Sequence, residues 1–312
     1  MTIHPDVLGI DISKLHLDVY DGRDGMTRRL ANSATAVAEL AAALAGREAL
    51  VVFEATGCYD RALRAALSQA GIAHVRVNPE QARHFARATG RRAKTDAIDA
   101  RMLADLGGSL ALRRTTPFDP ARNRLTGLTR RRDQLVAMRK QDRVRHGEED
   151  DDELRDNLAQ HLAWLDDQIL RLDRAITQAV RASTELARDD ALLRSVPGIG
   201  PVTAAVLLGH LPELGHTSPK AIAALAGLAP YNNDSGAFTG KRSVRGGRTR
   251  VRQALYMAAL AASRGSSPFA AFNQRLRNAG KPPKLAIIAT ARKLLTTLNA
   301  IAKHQSTYLP TA

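Results

Sequence analysis

The hydrophobic period of this chain changes once, near Asp119, and that change constrains the fold more than any other feature. Upstream, apolar residues alternate or come in short runs. Val7, Leu8 and Ile10, then Leu15, Leu17 and Val19, predict two strands joined by a tight turn near Ser13 and Lys14. The same reading predicts strands at 27–31, 49–54 and 72–77, the last ended by Asn78-Pro79, and helices at 35–45, 59–70 and 97–106. Strands in hairpin order followed by strands alternating with helices imply a mixed sheet flanked by helices. Downstream the period lengthens. Leu154, Leu158, Leu162, Leu165, Ile169, Leu172 and Ile176 recur at steps of three and four, the spacing of a helix–helix seam. Such a seam serves either packing within the chain or an antiparallel arm that joins two copies. The acidic run at 148–153 is expected to be a solvated loop between two long helices. Further helices are expected after the glycine turn at 195–200, at 254–263 and at 285–302. The fold class is therefore α/β followed by α, in three parts: 1–112, 113–188 and 189–312.

Charge narrows the partner. The 312 residues hold 46 Lys and Arg against 31 Asp and Glu, a formal charge of +15. That balance favours a polyanion, or else merely reflects an arginine-rich composition. Residues 122–145 carry nine cations and two acids, Asp133 and Asp142. Cys58 is the only cysteine, which excludes an intramolecular disulfide and a cysteine-based zinc cluster. The start of the chain lacks the basic-then-apolar layout of a signal peptide, and no apolar run suits a membrane span, so a cytoplasmic, nucleoid-associated protein is expected.

Four carboxylates stand where chemistry on a phosphodiester would need them. Asp11 follows an apolar run in VLGID, and Glu54 ends the apolar run LVVFE. Buried carboxylates without partners are costly, so acids closing strands ask for an explanation. Asp96 and Asp99, three apart in KTDAIDA, share one face at the start of a helix. Acids there also favour the helix dipole, which is a sufficient account of either alone. Together the four match the donor chemistry of Mg²⁺, a hard cation that takes oxygen ligands, and their order matches a ribonuclease-H-like fold. Arg91, Arg92 and Lys94, just before the pair, would suit a nucleic-acid backbone or form an ordinary solvated face.

Two further motifs lie downstream. SVPGIGPVTA reads as a helix-hairpin-helix turn in which Gly198 and Gly200 let the backbone approach a phosphate; the alternative is a turn that caps two packed helices. NNDSGAFTGKRSVRGGRTRVR holds Lys241, Arg242, Arg245, Arg248, Arg250 and Arg252 with no acid among them. Ser235 precedes a glycine in this string. A serine needs a base or a metal to become a nucleophile, and neither His210 nor His216 has the setting of a hydrolase triad. Serine attack on a metal-bound phosphodiester, with arginines offsetting the charge at phosphorus, is physically coherent.

GIDISK, FEATGCYD, KTDAIDA, SVPGIGPVTA, LAGLAP and the SG before a basic GK–R–GG loop, in this order, resemble the IS110/IS1111 transposases over residues 6 to 305. The resemblance implies a RuvC-like domain whose acidic quartet maps onto Asp11, Glu54, Asp96 and Asp99, and a C-terminal domain whose nucleophile maps onto Ser235. It also implies one or two Mg²⁺ ions, a phosphoserine link to DNA, a structured guide (bridge) RNA, and dimers that pair into a tetramer. The alternatives from the residues alone are a RuvC-like endonuclease that activates water and a non-catalytic nucleic-acid-binding protein.

Overall fold

A computed structural model describes residues 4–55, 57–90, 96–231 and 243–309, with only the backbone of 96 and 97. Its contacts divide the chain into two compact units, Met1–Asp119 and Pro120–Ala312.

The first unit is a five-stranded mixed sheet with helices on both faces. Strands β1 (Val7–Ile12), β2 (His16–Asp21) and β3 (Thr27–Ala31) form an antiparallel meander; β4 (Leu50–Glu54) and β5 (Ala73–Val77) add in parallel beside β1. The sheet order is β3-β2-β1-β4-β5. Helices α1 (Ala34–Ala43), α2 (Arg61–Gln69), α3 (Pro79–Ala88) and α4 (Asp96–Ser109) complete the unit. Side chains alternate across the strands, so Leu8, Ile10, Val51 and Phe53 join one apolar cluster, while Val7, Leu50 and Val52 join another with Leu103 and Leu106 of α4. The mixed α/β unit expected from the sequence is present. Helix α3 is an addition. Asn78 and Pro79 end β5 and also start a helix, because the Asn78 side chain accepts the Glu80 amide N–H and Pro79 sits at the first helical position.

At the end of the sheet where β1 and β4 begin, Arg47 forks onto Asp6 (2.5 and 2.7 Å) and Asp21 (2.6 and 2.7 Å). The guanidinium holds the Asp21 carboxyl down at about 2, against an opposing push from burial.

The second unit is helical: α5 (Pro120–Glu148), α6 (Asp152–Arg181), α7 (Thr184–Arg194), α8 (Pro201–His210), α9 (Pro219–Leu225), α10 (Thr249–Ala262), α11 (Pro268–Asn278) and α12 (Pro283–His304). A two-stranded ribbon, β6 (Pro230–Tyr231) and β7 (Ser243–Val244), interrupts them. Helices α5 and α6 pair as a long hairpin around Leu135, Leu165 and Ile169. Arg132–Asp173 (2.5 Å) and Arg139–Asp166 (2.5 Å) cross between them. The seam expected from the leucine spacing closes only in part, since Leu154 at its start is 54% exposed. The acidic run supplies the loop between the two long helices at 149–151, as expected, while Glu148 ends α5 and Asp152 and Glu153 open α6. Asp151 caps α6 by accepting the Leu154 amide N–H (3.0 Å), and Asp152 and Glu153 occupy the first turn, where the helix dipole favours anions.

Helix α12 corrects the expectation that no apolar run suits a membrane. It is long and apolar enough to cross one. Leu294, Leu295, Leu298 and Ile301 nonetheless bury its inner face in the core of the unit, which accounts for the apolar composition.

Candidate functional site

In the first unit the sheet brings Asp11 and Glu54 together at the C-terminal ends of two interior strands. The parallel ladder of β1 and β4 runs to Ile10 opposite Phe53, and Asp11 and Glu54 are the next residue on each strand. Alternation puts both on the α4 face, and both are half-buried. Gly9 fixes where α4 lies. A Cβ on Gly9 would stand 1.9 Å from the Ala100 carbonyl oxygen, so the helix backbone rests directly on the strand. Gly107, further along α4, lies against Val7 and Val52. The helix therefore runs antiparallel to β1, and its first turn extends past Gly9 toward the strand ends that carry Asp11 and Glu54. Asp99 is the residue before Ala100. The side chain of Asp96 and residues Arg91, Arg92 and Lys94 lie outside the described residues. Among the described residues no three His, Cys, Asp or Glu side chains converge as metal ligands. Asp11 and Glu54 offer oxygen donors only, the ligand type that a hard divalent cation takes.

One further acid belongs to this face. Asp18 on β2 stands directly across from Asp11 and is buried, and Arg29 grips both its oxygens at 2.9 and 3.0 Å. That fork offsets its charge next to the candidate site. The alternation of HLDVYD, with Asp on the inward beat, was the available signal for it.

In the second unit the ribbon of β6 and β7 frames residues 232–242, so Ser235, Lys241 and Arg242 lie outside the described residues. The base of the ribbon is tightly packed. Gly227 and Gly247, at φ +68° and +66°, meet backbone to backbone, and a Cβ on Gly247 would come within 2.2 Å of the Gly227 nitrogen. LAGLAP and RGG are thus two halves of one contact. The Arg248 amide donates to the Leu225 carbonyl (2.8 Å). Its guanidinium donates to both oxygens of Glu213 (2.5 and 2.6 Å) and to the His210 carbonyl (3.0 Å). Arg248 is therefore committed to holding the start of α10 against the end of α8. Arg250 pairs with Asp133 of α5. Arg245 is exposed and lies 5.7 Å from the ring centre of Tyr231.

His210 sits within this cationic group, its Nε2 2.9 Å from the Thr129 hydroxyl. Burial pushes the imidazole down to about 4, and Arg250, Arg130 and Arg248 push in the same direction. It is neutral at ordinary pH.

The glycine turn joins α7 to α8. Gly198, at φ +87°, lies against the Ala258 carbonyl and Ala262 of α10, where any side chain would clash. Packing accounts for this glycine. Gly200 is the exposed N-cap of α8 and brings no side-chain cap.

The sequence profile described as DEDD transposase of the IS110 type matches residues 8–146, and that of the transposase IS116/IS110/IS902 family matches residues 190–274. The pilin gene-inverting proteins of Moraxella bovis and Moraxella lacunata are each 32% identical over 259 residues, covering 81% of this chain and 80% of theirs. An insertion element IS110 protein of Streptomyces coelicolor is 31% identical over 138 residues, 43% of this chain and 34% of its own length. Two profiles in the expected order, the first spanning Asp11, Glu54, Asp96 and Asp99 and the second spanning Ser235, agree with a RuvC-like sheet followed by a helical region. The chain belongs to the IS110 family of DNA transposases.

Proposed function

We propose that this transposase cuts and rejoins DNA through Ser235, with Asp11, Glu54, Asp96 and Asp99 holding divalent metal, Mg²⁺ by their oxygen-only chemistry. When bound, the metal would polarise the scissile phosphate. The Ser235 hydroxyl attacks phosphorus, a serine–phosphate bond forms, the bond to the 3′ oxygen breaks, and the serine proton passes by way of solvent to that oxygen, leaving a 3′-hydroxyl. A 3′-hydroxyl from another strand then attacks the phosphoserine and frees the serine. Each step exchanges one phosphoester for another, so rejoining needs no external energy source. The observation that supports this reading is that Asp11 and Glu54 end neighbouring strands on the face that α4 covers, with α4 running toward that end of the sheet. The tightly held base of the ribbon adds support, because it fixes the chain on either side of the segment that contains Ser235.

A structured guide RNA that selects the DNA, and a dimer pairing into a tetramer, complete the proposal; the formal charge of +15 suits two polyanionic partners. Ser235→Ala should abolish a covalent protein–DNA adduct on denaturing gels, while Asp11→Asn should abolish cutting altogether. If Ser235→Ala still cuts and the parent chain never forms an adduct, a metal-activated water is the nucleophile. RNA that co-purifies with the chain, and the mass of the assembled complex, test the other two parts.

A further inference from the structure

From residue 235 to residue 312 the chain contains no Asp or Glu, against fourteen Lys and Arg. Helical surfaces ordinarily intersperse the two signs, because like charges three or four residues apart destabilise a helix. Arg248 and Arg250 borrow carboxylates from elsewhere in the unit. The hairpin of α11 and α12 does not. Among the described residues no carboxylate pairs with Arg275, Arg277, Lys281, Lys284 or Lys293. All five are exposed, and residues 277–285 form one continuous exposed knuckle. Lys284 even stands in the first turn of α12, where the helix dipole disfavours a cation.

The scaffold beneath these cations is rigid. Asn273 donates to the Thr290 hydroxyl (3.2 Å) in the buried interface of the two helices, and Thr290 donates to the Ala286 carbonyl (2.9 Å). Phe272 holds two of the charges in place, with Arg275 5.3 Å and Lys293 4.7 Å from its ring centre. A ring already facing two cations serves to position charge rather than to stack on a base.

We propose that the α11–α12 hairpin is a docking surface for the backbone of duplex DNA, with Arg275, Arg277, Lys281, Lys284 and Lys293 seating its phosphates. Fixed, uncompensated cations suit a regular row of phosphates, and the stacking surface that a single strand would use is taken up by the cations themselves. The inference rests on the DNA partner alone and not on the role of Ser235.

The test is salt-dependent binding of an uncleaved DNA duplex by the full chain carrying Ser235→Ala, which separates grip from chemistry. The hairpin variant is Arg277→Gln, Lys281→Gln and Lys284→Gln together. The control is Arg28→Gln, Arg155→Gln and Arg171→Gln, which removes the same charge from cations that face carboxylates three or four residues away in the chain. The slope of log K against log salt should flatten by about 2 to 3 for the hairpin variant and change little for the control. Affinity at about 0.1 M salt should fall on the order of 100-fold for the hairpin variant. Equal flattening by both variants would reduce the effect to bulk charge and overturn the proposal. So would an unmoved slope, or a change seen with single-stranded RNA but not with duplex DNA.

Discussion

Replacing Gly9 with alanine tests the link between packing and the candidate site most directly. The new Cβ would stand 1.9 Å from the Ala100 carbonyl oxygen and 2.5 Å from the Ala104 nitrogen. Non-bonded atoms settle at about 3.5 Å, so α4 would have to retreat by about 1.5 Å. Both opposing atoms are helix backbone, and no side-chain rotation can relieve the clash. Overpacking a core costs about 1–3 kcal/mol, and this position belongs at the upper end, about 3 kcal/mol. The same retreat lifts the first turn of α4 away from Asp11 and Glu54. A misplacement of about 1 Å at a reacting centre costs on the order of 100-fold in rate. Urea unfolding of the purified chain measures the first effect, and a strand-cleavage assay under conditions where the variant remains folded measures the second. Gly108→Ala is the control. It lies on the same helix with open space around it, and gains up to about 1 kcal/mol from helix propensity. If Gly9→Ala unfolds at the parent's urea midpoint and cleaves at the parent's rate, α4 is not seated on β1 as described, and the proposal that the four acids act together loses its structural support.

Three further outcomes are expected. Asp21 ionises at about 2 in the folded chain against 3.8 unfolded, so its pairing with Arg47 stabilises the first unit above pH 4 and is lost as pH falls from about 4 toward 2. Asp21→Asn should remove about 1–2 kcal/mol at neutral pH and flatten that acid limb in pH-dependent unfolding. His210, held neutral down to about 4, makes the second unit lose stability as pH falls from 6.5 toward 4; His210→Gln should remove about 2 kcal/mol of that slope after allowance for solvent screening, and a variant with an unaltered slope would contradict its burial. Arg248→Ala should cost about 1–3 kcal/mol by removing the guanidinium that donates to Glu213 and to the His210 carbonyl, and should raise amide exchange at the start of α10; unchanged exchange there would show that the ribbon's base is held by other contacts.

The alternation around Asp11 and Glu54, and the lengthened period after Asp119, carried the fold class and the order of the elements, because local pattern decides which face a strand or helix buries. The five strands and the helices at 34–43, 61–69 and 96–109 were legible for that reason. Asp11 and Glu54 were legible as neighbours by their position at strand ends. Helix α3 escaped because its Asn-Pro signal reads equally as a strand terminator. Leu154 kept the seam spacing yet stays exposed, since spacing gives a face but not the length over which a partner covers it.

Tertiary structure alone decided the remainder. That Gly9 is the seat of α4, that Asp18 is offset by Arg29, that Gly227 meets Gly247, and that Arg248 belongs to Glu213 are facts about residues far apart in sequence. A glycine in a strand announces a close approach but not the element that approaches. A basic string announces charge but not which arginines are already engaged. The sequence by itself determined the residue types available to this transposase; the packing decided which of its acids share a face and which of its cations already have partners.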